Sequence, residues 1–343
     1  MPNKIRIISI DGGGIRGIIP AVILSHVEKR IQDEKGPDAR LADHVELVAG
    51  TSTGGIIACA MLMPDTAVTT EVTAPPRPRY TMDEVADIYL QRGAEIFSRT
   101  PGHWLRTWGG LRDEKYDAAG LERALKEKFD DIRLAELLRP CLITAYDIRY
   151  RETVFFGQHK ARADRGRDHL VRHVARATSA APTYFEAANI PSVMEVYSAL
   201  VDGGVFANNP AMCAYAEARG MNFGTVDRPT SKDMFMLSLG TGTVKKEYPH
   251  HRAKDFGMVQ WVRPVIDIMM SGNSETVSFQ VQKLFEAGEN PEGFIRTEPG
   301  LHNASPDMDD ASPKNLAALK EAGTKYVADN PDIINSIVRE LIG

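Results

Sequence analysis

Residues 4–10 read KIRIISI, a short run dominated by isoleucine and followed by Asp11 and three glycines. β-Branched residues bounded by turn formers predict a strand buried on both faces. From Ile18 the rhythm changes. Ile19, Val22, Ile23, Val27 and Ile31 recur at three- and four-residue intervals, which predicts a helix over 18–31 with one apolar face. A second short strand is predicted at 45–49. The nearly continuous apolar stretch GGIIACAML at 54–62 reads as a buried helix.

Strand, glycine loop, helix, strand, tight turn and helix in that order open a parallel α/β sheet. The segment VTAPPRPRY at 72–80 breaks the pattern as a proline-rich surface excursion, after which α/β patterning resumes. Asp117 is placed to cap a helix running to Phe129, with Leu121, Leu125 and Phe129 four apart. CLITAYDI (141–148) and TVFFG (153–157) predict strands, 169–181 a helix, and YSALVDGG (197–204) and MFMLSLGTG (234–242) two further strands stopped by glycines. Beyond these the chain reads as helix, from about 255 to 287 and again from Lys314. One α/β domain over 1–343 is expected, with its core motifs within 5–242 and helical additions at about 255–343.

Composition narrows the class. A 343-residue chain with 43% hydrophobic and 25% charged residues belongs with soluble globular proteins. A formal charge of −5 argues against nucleic acid as the main partner. No run of about 18 apolar residues suits a membrane span, and MPNKIRIISID lacks the long apolar core of a signal peptide. Cys59, Cys141 and Cys213 lie far apart in apolar runs, so each is expected to be a small buried hydrophobe in a reducing compartment. A cytoplasmic location follows as the expectation.

Three motifs carry candidate chemistry. Residues 12–17, GGGIRG, formally satisfy GxGxxG between strand and helix, the loop that cradles a dinucleotide pyrophosphate. That use needs an acidic residue at the end of the second strand, and here the strand runs instead into VAGTSTGG. Consecutive glycines can equally turn backbone N–H groups toward one point and hold a transient oxyanion. GTSTG at 50–54 fits the GxSxG elbow, in which a serine is exposed on a sharp strand-to-helix turn. The base that a Ser-His-Asp triad requires is missing from the pattern: His250 and His251 lie in a charged stretch and His302 in a polar loop. His169 and His173 are four apart but lack acidic or cysteine ligands at fitting spacing, so no metal site is expected. The third motif is LVDGG at 200–204, which puts Asp202 at the end of an apolar strand. If that strand is parallel to the others, its end shares one sheet edge with Ser52 and the glycine loop. Taken singly, each motif also fits a purely structural turn.

As a set they resemble the patatin-like phospholipase family. Its DGGGxR/KG motif matches residues 11–17, its GxSxG matches 50–54 and its DGA/DGG matches 202–204, and the likeness extends through ATSAAPTYF (177–185) and LSLGTG (237–242). The resemblance implies a three-layer α/β/α sandwich around a mainly parallel sheet. It implies a lipid acyl hydrolase with Ser52 as nucleophile and Asp202 as general base, working through an acyl-enzyme without cofactor or metal. Backbone N–H groups within Gly12, Gly13, Gly14, Ile15 and Arg16 would hold the oxyanion. Arg16 would either fix the glycine loop or help the negative intermediate; Asn208 and Asn209 would cap the helix beginning at Pro210, and Thr241 would be a turn residue near the site. A phospholipid or another acyl lipid is the implied substrate, met at a peripheral membrane surface.

Phe97, Trp104 and Trp108 lie among Arg99, Arg106 and Arg112 in a segment suited either to a membrane interface at the site's entrance or to a loop over the core. No sequence feature demands a homodimer or identifies an activator, and both stay open. The rival reading is a catalytically silent lipid-binding or signalling module on the same fold.

Overall fold

The computed structural model describes residues 4–66, 76–96, 116–243 and 247–343. Phe97, Trp104 and Trp108 lie outside the described residues, as does part of the proline-rich excursion.

The first strand, β1 (Ile5–Ile10), forms where the isoleucine run predicts it. It is flanked by two parallel neighbours, β2 (Leu47–Thr51) on one edge and β7 (Met234–Leu239) on the other. Beyond β2 lies β3 (Cys141–Asp147), also parallel, and beyond β7 lies β8 (Phe294–Thr297). Three more strands are antiparallel to their partners: β4 (Glu152–Phe156), β5 (Ala188–Pro191) and β6 (Tyr197–Asp202).

Side chains alternate across this sheet into two separate cores. Ile8, Ile10, Val48, Ile143, Leu237 and Leu239 point into one. Ile5, Ile7, Leu47, Leu142, Met234 and Met236 point into the other. Both faces are therefore covered, and the strands read as unbroken apolar runs because no face meets water. The larger core is closed by helices α1 (Ile18–Lys35), α2 (Thr53–Met61), α3 (Met82–Ile96), α4 (Ala118–Phe129) and α5 (Val171–Thr178). The smaller is closed by α6 (Ala211–Gly220) and the long α7 (Met258–Ala287). The result is the expected α/β/α sandwich around a mainly parallel sheet.

Three expectations change. Helix α5 ends at Thr178, because the next residues turn to deliver Ala180, whose carbonyl accepts the Asp202 N–H at 3.0 Å. The C-terminal third, read as helix, also contains a strand. It supplies β8 to the sheet, while α8 (Pro313–Asp329) and α9 (Pro331–Ile342) add Leu316, Leu319, Ile334 and Ile337 to the larger core. Cys59 and Cys141 are buried as expected, but Cys213 is only partly so. Burial pushes all three thiols up, Cys141 to about 12 and Cys213 to about 11. No helix among the described residues is long and apolar enough to cross a membrane.

Candidate active site

Strand register brings Ser52 and Asp202 together by a route the sequence does not suggest. The strand ending in Asp202 runs antiparallel to β3, so its end does not join the parallel strands by the expected rule. Its position follows from β3 being longer than β2. Strand β2 pairs with β3 only up to Thr51↔Thr144, whereas β3 continues to Asp147. Strand β4 occupies one edge of that region, pairing from Ile143 to Asp147. The free stretch of the opposite edge, beyond the end of β2, is taken by β6 through Ala145↔Asp202, Tyr146↔Val201 and Asp147↔Leu200. Strands β2 and β6 thus lie end to end along one edge of β3, pointing at each other. Their facing ends are Ser52 and Asp202.

Ser52 is the N-cap of α2 and has φ 55° and ψ −123°, a left-handed backbone unusual for a residue with a side chain. Its N–H donates to Thr178 Oγ1 at 2.8 Å, which holds the turn. The glycine two residues on has a steric cause: a Cβ on Gly54 would lie 2.2 Å from the Ile10 carbonyl oxygen of the neighbouring strand. Helix α2 points its N-terminus, the positive end of its dipole, at this turn.

Asp202 is 4% exposed. Its carboxylate accepts the Gly204 N–H at 2.7 Å and shares the pocket with the Ser52 side chain. Desolvation raises it from 3.8 to about 7, opposed by the neighbouring Ser52 hydroxyl and the Gly204 N–H. The two groups sit in a pocket lined by Gly13 and Gly14 and walled mainly by apolar side chains, among them Ile56, Leu121, Phe185, Met269, Met270 and Met308. No histidine is among the described residues lining it.

The glycine loop contributes fewer free donors than expected. Gly12 N–H donates to the Asn208 carbonyl at 3.0 Å, Ile15 N–H to the Met308 carbonyl at 2.8 Å, and Arg16 N–H to the Gly13 carbonyl at 3.3 Å. Those three are already satisfied. Only the Gly13 and Gly14 N–H groups find no acceptor among the described residues, and both residues line the pocket. Arg16 is buried behind the loop and does not line the pocket; its Nε lies 3.4 Å from the Gly13 carbonyl. Burial lowers its pKa, opposed by Asp267 and Glu298.

Beneath the loop lies a set of residues without a sequence signal. Arg296 of β8 donates to both oxygens of Asp11, at 2.9 and 2.7 Å, and Ser274 of α7 donates to Asp11 Oδ2 at 2.9 Å. Thr241 donates to the Gly12 carbonyl at 2.9 Å. The helix begins at Ala211 with Pro210 as its N-cap, and Asn209, one residue earlier, accepts the Ala211 N–H at 3.0 Å. Asn208 does not cap it: its side chain donates to Ser274 Oγ at 3.3 Å and its carbonyl holds Gly12. His169 serves the structure, its Nδ1 lying 3.0 Å from the Pro191 carbonyl oxygen. Of the sequence candidates, Ser52, Asp202, Gly13, Gly14 and Ile15 line one pocket, the Ile15 N–H being already taken by Met308.

The patatin-like phospholipase family model matches residues 8–215, which span both β2–α2 and the strand ending in Asp202. This chain is a member of the patatin-like phospholipase family. Patatin-like protein 2 of Arabidopsis thaliana is 32% identical over 347 residues, covering 95% of this chain and 83% of that protein. Patatin-like protein 2 of Oryza sativa subsp. indica is 32% identical over 357 residues, covering 96% and 86%. A Solanum tuberosum relative described as probable inactive patatin-3-Kuras 1 is 30% identical over 335 residues, covering 94% and 86%. Among solved structures, VipD from Legionella pneumophila is similar at 12% identity and a TM-score of 0.36, over 96% of this chain and 67% of that one.

Proposed function

We propose that this patatin-like protein is a lipid acyl hydrolase that cleaves ester-linked fatty acids from glycerophospholipids or related lipids through Ser52 and Asp202. One observation carries the reading: Ser52 and the buried carboxylate of Asp202 lie at the facing ends of β2 and β6 and line the same apolar pocket. Serine needs a base to become a nucleophile. A carboxylate near its ordinary value is a poor one, and a carboxylate raised to about 7 is far better matched to the task.

In the proposed reaction the substrate's acyl chain lies along the apolar wall with its carbonyl over Ser52. The Ser52 Oγ–H proton passes to Asp202 as Oγ bonds to the carbonyl carbon. The carbonyl oxygen becomes an oxyanion, held by the Gly13 and Gly14 N–H groups. Preorganised donors of this kind each lower the barrier by roughly 3 kcal/mol. The intermediate collapses, breaking the ester bond, and the departing alkoxide takes the proton from Asp202. Water then attacks the acyl-Ser52 ester, gives its proton to Asp202, and releases the fatty acid as Ser52 recovers its proton.

The rival is a silent lipid-binding module, and one relative carries the description probable inactive. Family membership alone does not separate the two. The deciding experiment is fatty-acid release from mixed phospholipid vesicles in EDTA, comparing wild type with Ser52→Ala and Asp202→Ala. The expected result is release by wild type and a loss of about 10⁴-fold or more in each folded variant. Absence of release by wild type, together with no labelling of Ser52 by a fluorophosphonate, would favour the silent module. Release that survives either substitution would exclude the dyad.

A further inference from the structure

Helix α7 has two unlike halves. From Asn273 onward it is tied to the body: Asn273 donates to the Phe206 carbonyl at 2.9 Å, Ser274 holds Asp11, and Val277, Val281 and Phe285 enter the smaller core. Its first half carries the opposite pattern. Met258, Val262, Val265 and Met269 recur at intervals of four, three and four, with Trp261 and Ile268 beside them on the same face. These are core-forming residues at core spacing, yet Met258 is 89% exposed, Ile268 50% and Met269 51%. A contiguous apolar stripe of this kind on a soluble protein marks an interaction surface.

Position identifies the partner. Ile266, Met269 and Met270 of the same helix segment line the pocket that holds Ser52 and Asp202. The stripe and the pocket wall are therefore one continuous apolar surface, running from the helix exterior into the site. A second copy of the chain seated on the stripe would cover the pocket mouth. A phospholipid surface would be brought to that mouth, and an acyl chain leaving it would pass from lipid to pocket without crossing water.

We infer that the exposed face of 258–269 docks on a phospholipid surface and delivers substrate to the site. This rests on the acyl-hydrolase reading. It is independent of the aromatic segment around Trp104, which the sequence alone suggests for that task.

The test uses the full chain carrying M258Q, V262Q and V265Q together, three exposed positions outside the pocket lining. Binding to phosphatidylcholine–phosphatidylglycerol vesicles is measured by flotation in the Ser52→Ala background, so that turnover does not alter the vesicles. The triple variant is expected to lose about tenfold or more in vesicle partitioning. With Ser52 present, it should hydrolyse a soluble short-chain p-nitrophenyl ester at the wild-type rate, which also shows that the fold and site are intact. Vesicle binding unchanged by the triple substitution overturns the inference. So does a wild-type dimer, detected by sedimentation velocity, that the same substitutions dissociate. If the soluble ester is not cleaved by wild type, the acyl-hydrolase reading fails, whatever the flotation result.

Discussion

Arg296 and Asp11 are 285 residues apart in sequence and joined by two hydrogen bonds of 2.9 and 2.7 Å directly beneath the glycine loop. Asp11 is the last residue before the three glycines, so this pair sets where the loop leaves the sheet. Both side chains are largely buried, and a buried carboxylate stripped of its partner is costly. Arg296→Gln should lower unfolding free energy by about 3 kcal/mol, read as a shift of the urea midpoint. A midpoint unchanged from wild type would show that Ser274 suffices to hold Asp11.

The pH profile follows from Asp202. The proposed base must be ionised, and its pKa is raised to about 7. Ester hydrolysis, measured as kcat/KM, should therefore rise with pH and level off above about 7. Below that it should fall about tenfold per pH unit. A profile flat down to pH 5 would mean that Asp202 does not act as the base.

The same shift makes a prediction of opposite sign for stability. A carboxyl whose pKa is raised on folding holds its proton more tightly in the folded chain. Stability is therefore lost as pH rises from 3.8 toward 7, and the whole cost is present above 7. Asp202→Asn keeps the shape and removes the buried charge. It should raise unfolding free energy at pH 8 by about 1–3 kcal/mol and have little effect at pH 4, while abolishing hydrolysis. Equal thermal midpoints at pH 8 would contradict this.

Gly13 has an extended backbone open to any residue, with φ 169°. What forbids a side chain there is Thr241, whose Oγ1 would lie 2.2 Å from an added Cβ. Gly13→Ala should push the loop off its donors and cost about 10²-fold in kcat, with circular dichroism unchanged. Full activity in that variant would remove Gly13 from the oxyanion site.

Thr178 accepts the Ser52 N–H at 2.8 Å. Thr178→Val keeps the volume but leaves that buried donor unpaired, at a cost of about 1–3 kcal/mol. Slower labelling of Ser52 by a fluorophosphonate should accompany the loss, because the strained turn relaxes. Unaltered stability and labelling would show that the turn is held by its glycines alone.

Much of this was legible along the chain. Period-two and period-3.6 apolar patterns depend only on neighbours in sequence, so β1, α1, β2, α2 and the Asp117 cap were all readable. So were the motif residues Ser52, Asp202, Gly13 and Gly14, because glycine and serine at a strand end have a local steric meaning. Strand direction was not readable. An apolar run looks the same whichever way it runs, and only the overhang of β3 past β2 reveals why β6 enters antiparallel and still meets Ser52. Which loop N–H groups remain free also depended on distant carbonyls, those of Asn208 and Met308. The stripe on α7 was visible as helical periodicity, but periodicity predicts burial. That its first half lies exposed beside the pocket was decided by where the second half is anchored. The sequence by itself determined the local elements and the reactive groups they carry, since both follow from short-range sterics and side-chain chemistry. The tertiary structure alone decided how Ser52 faces Asp202, how Arg296 reaches Asp11 and what α7 leaves uncovered, because long-range packing sets those distances.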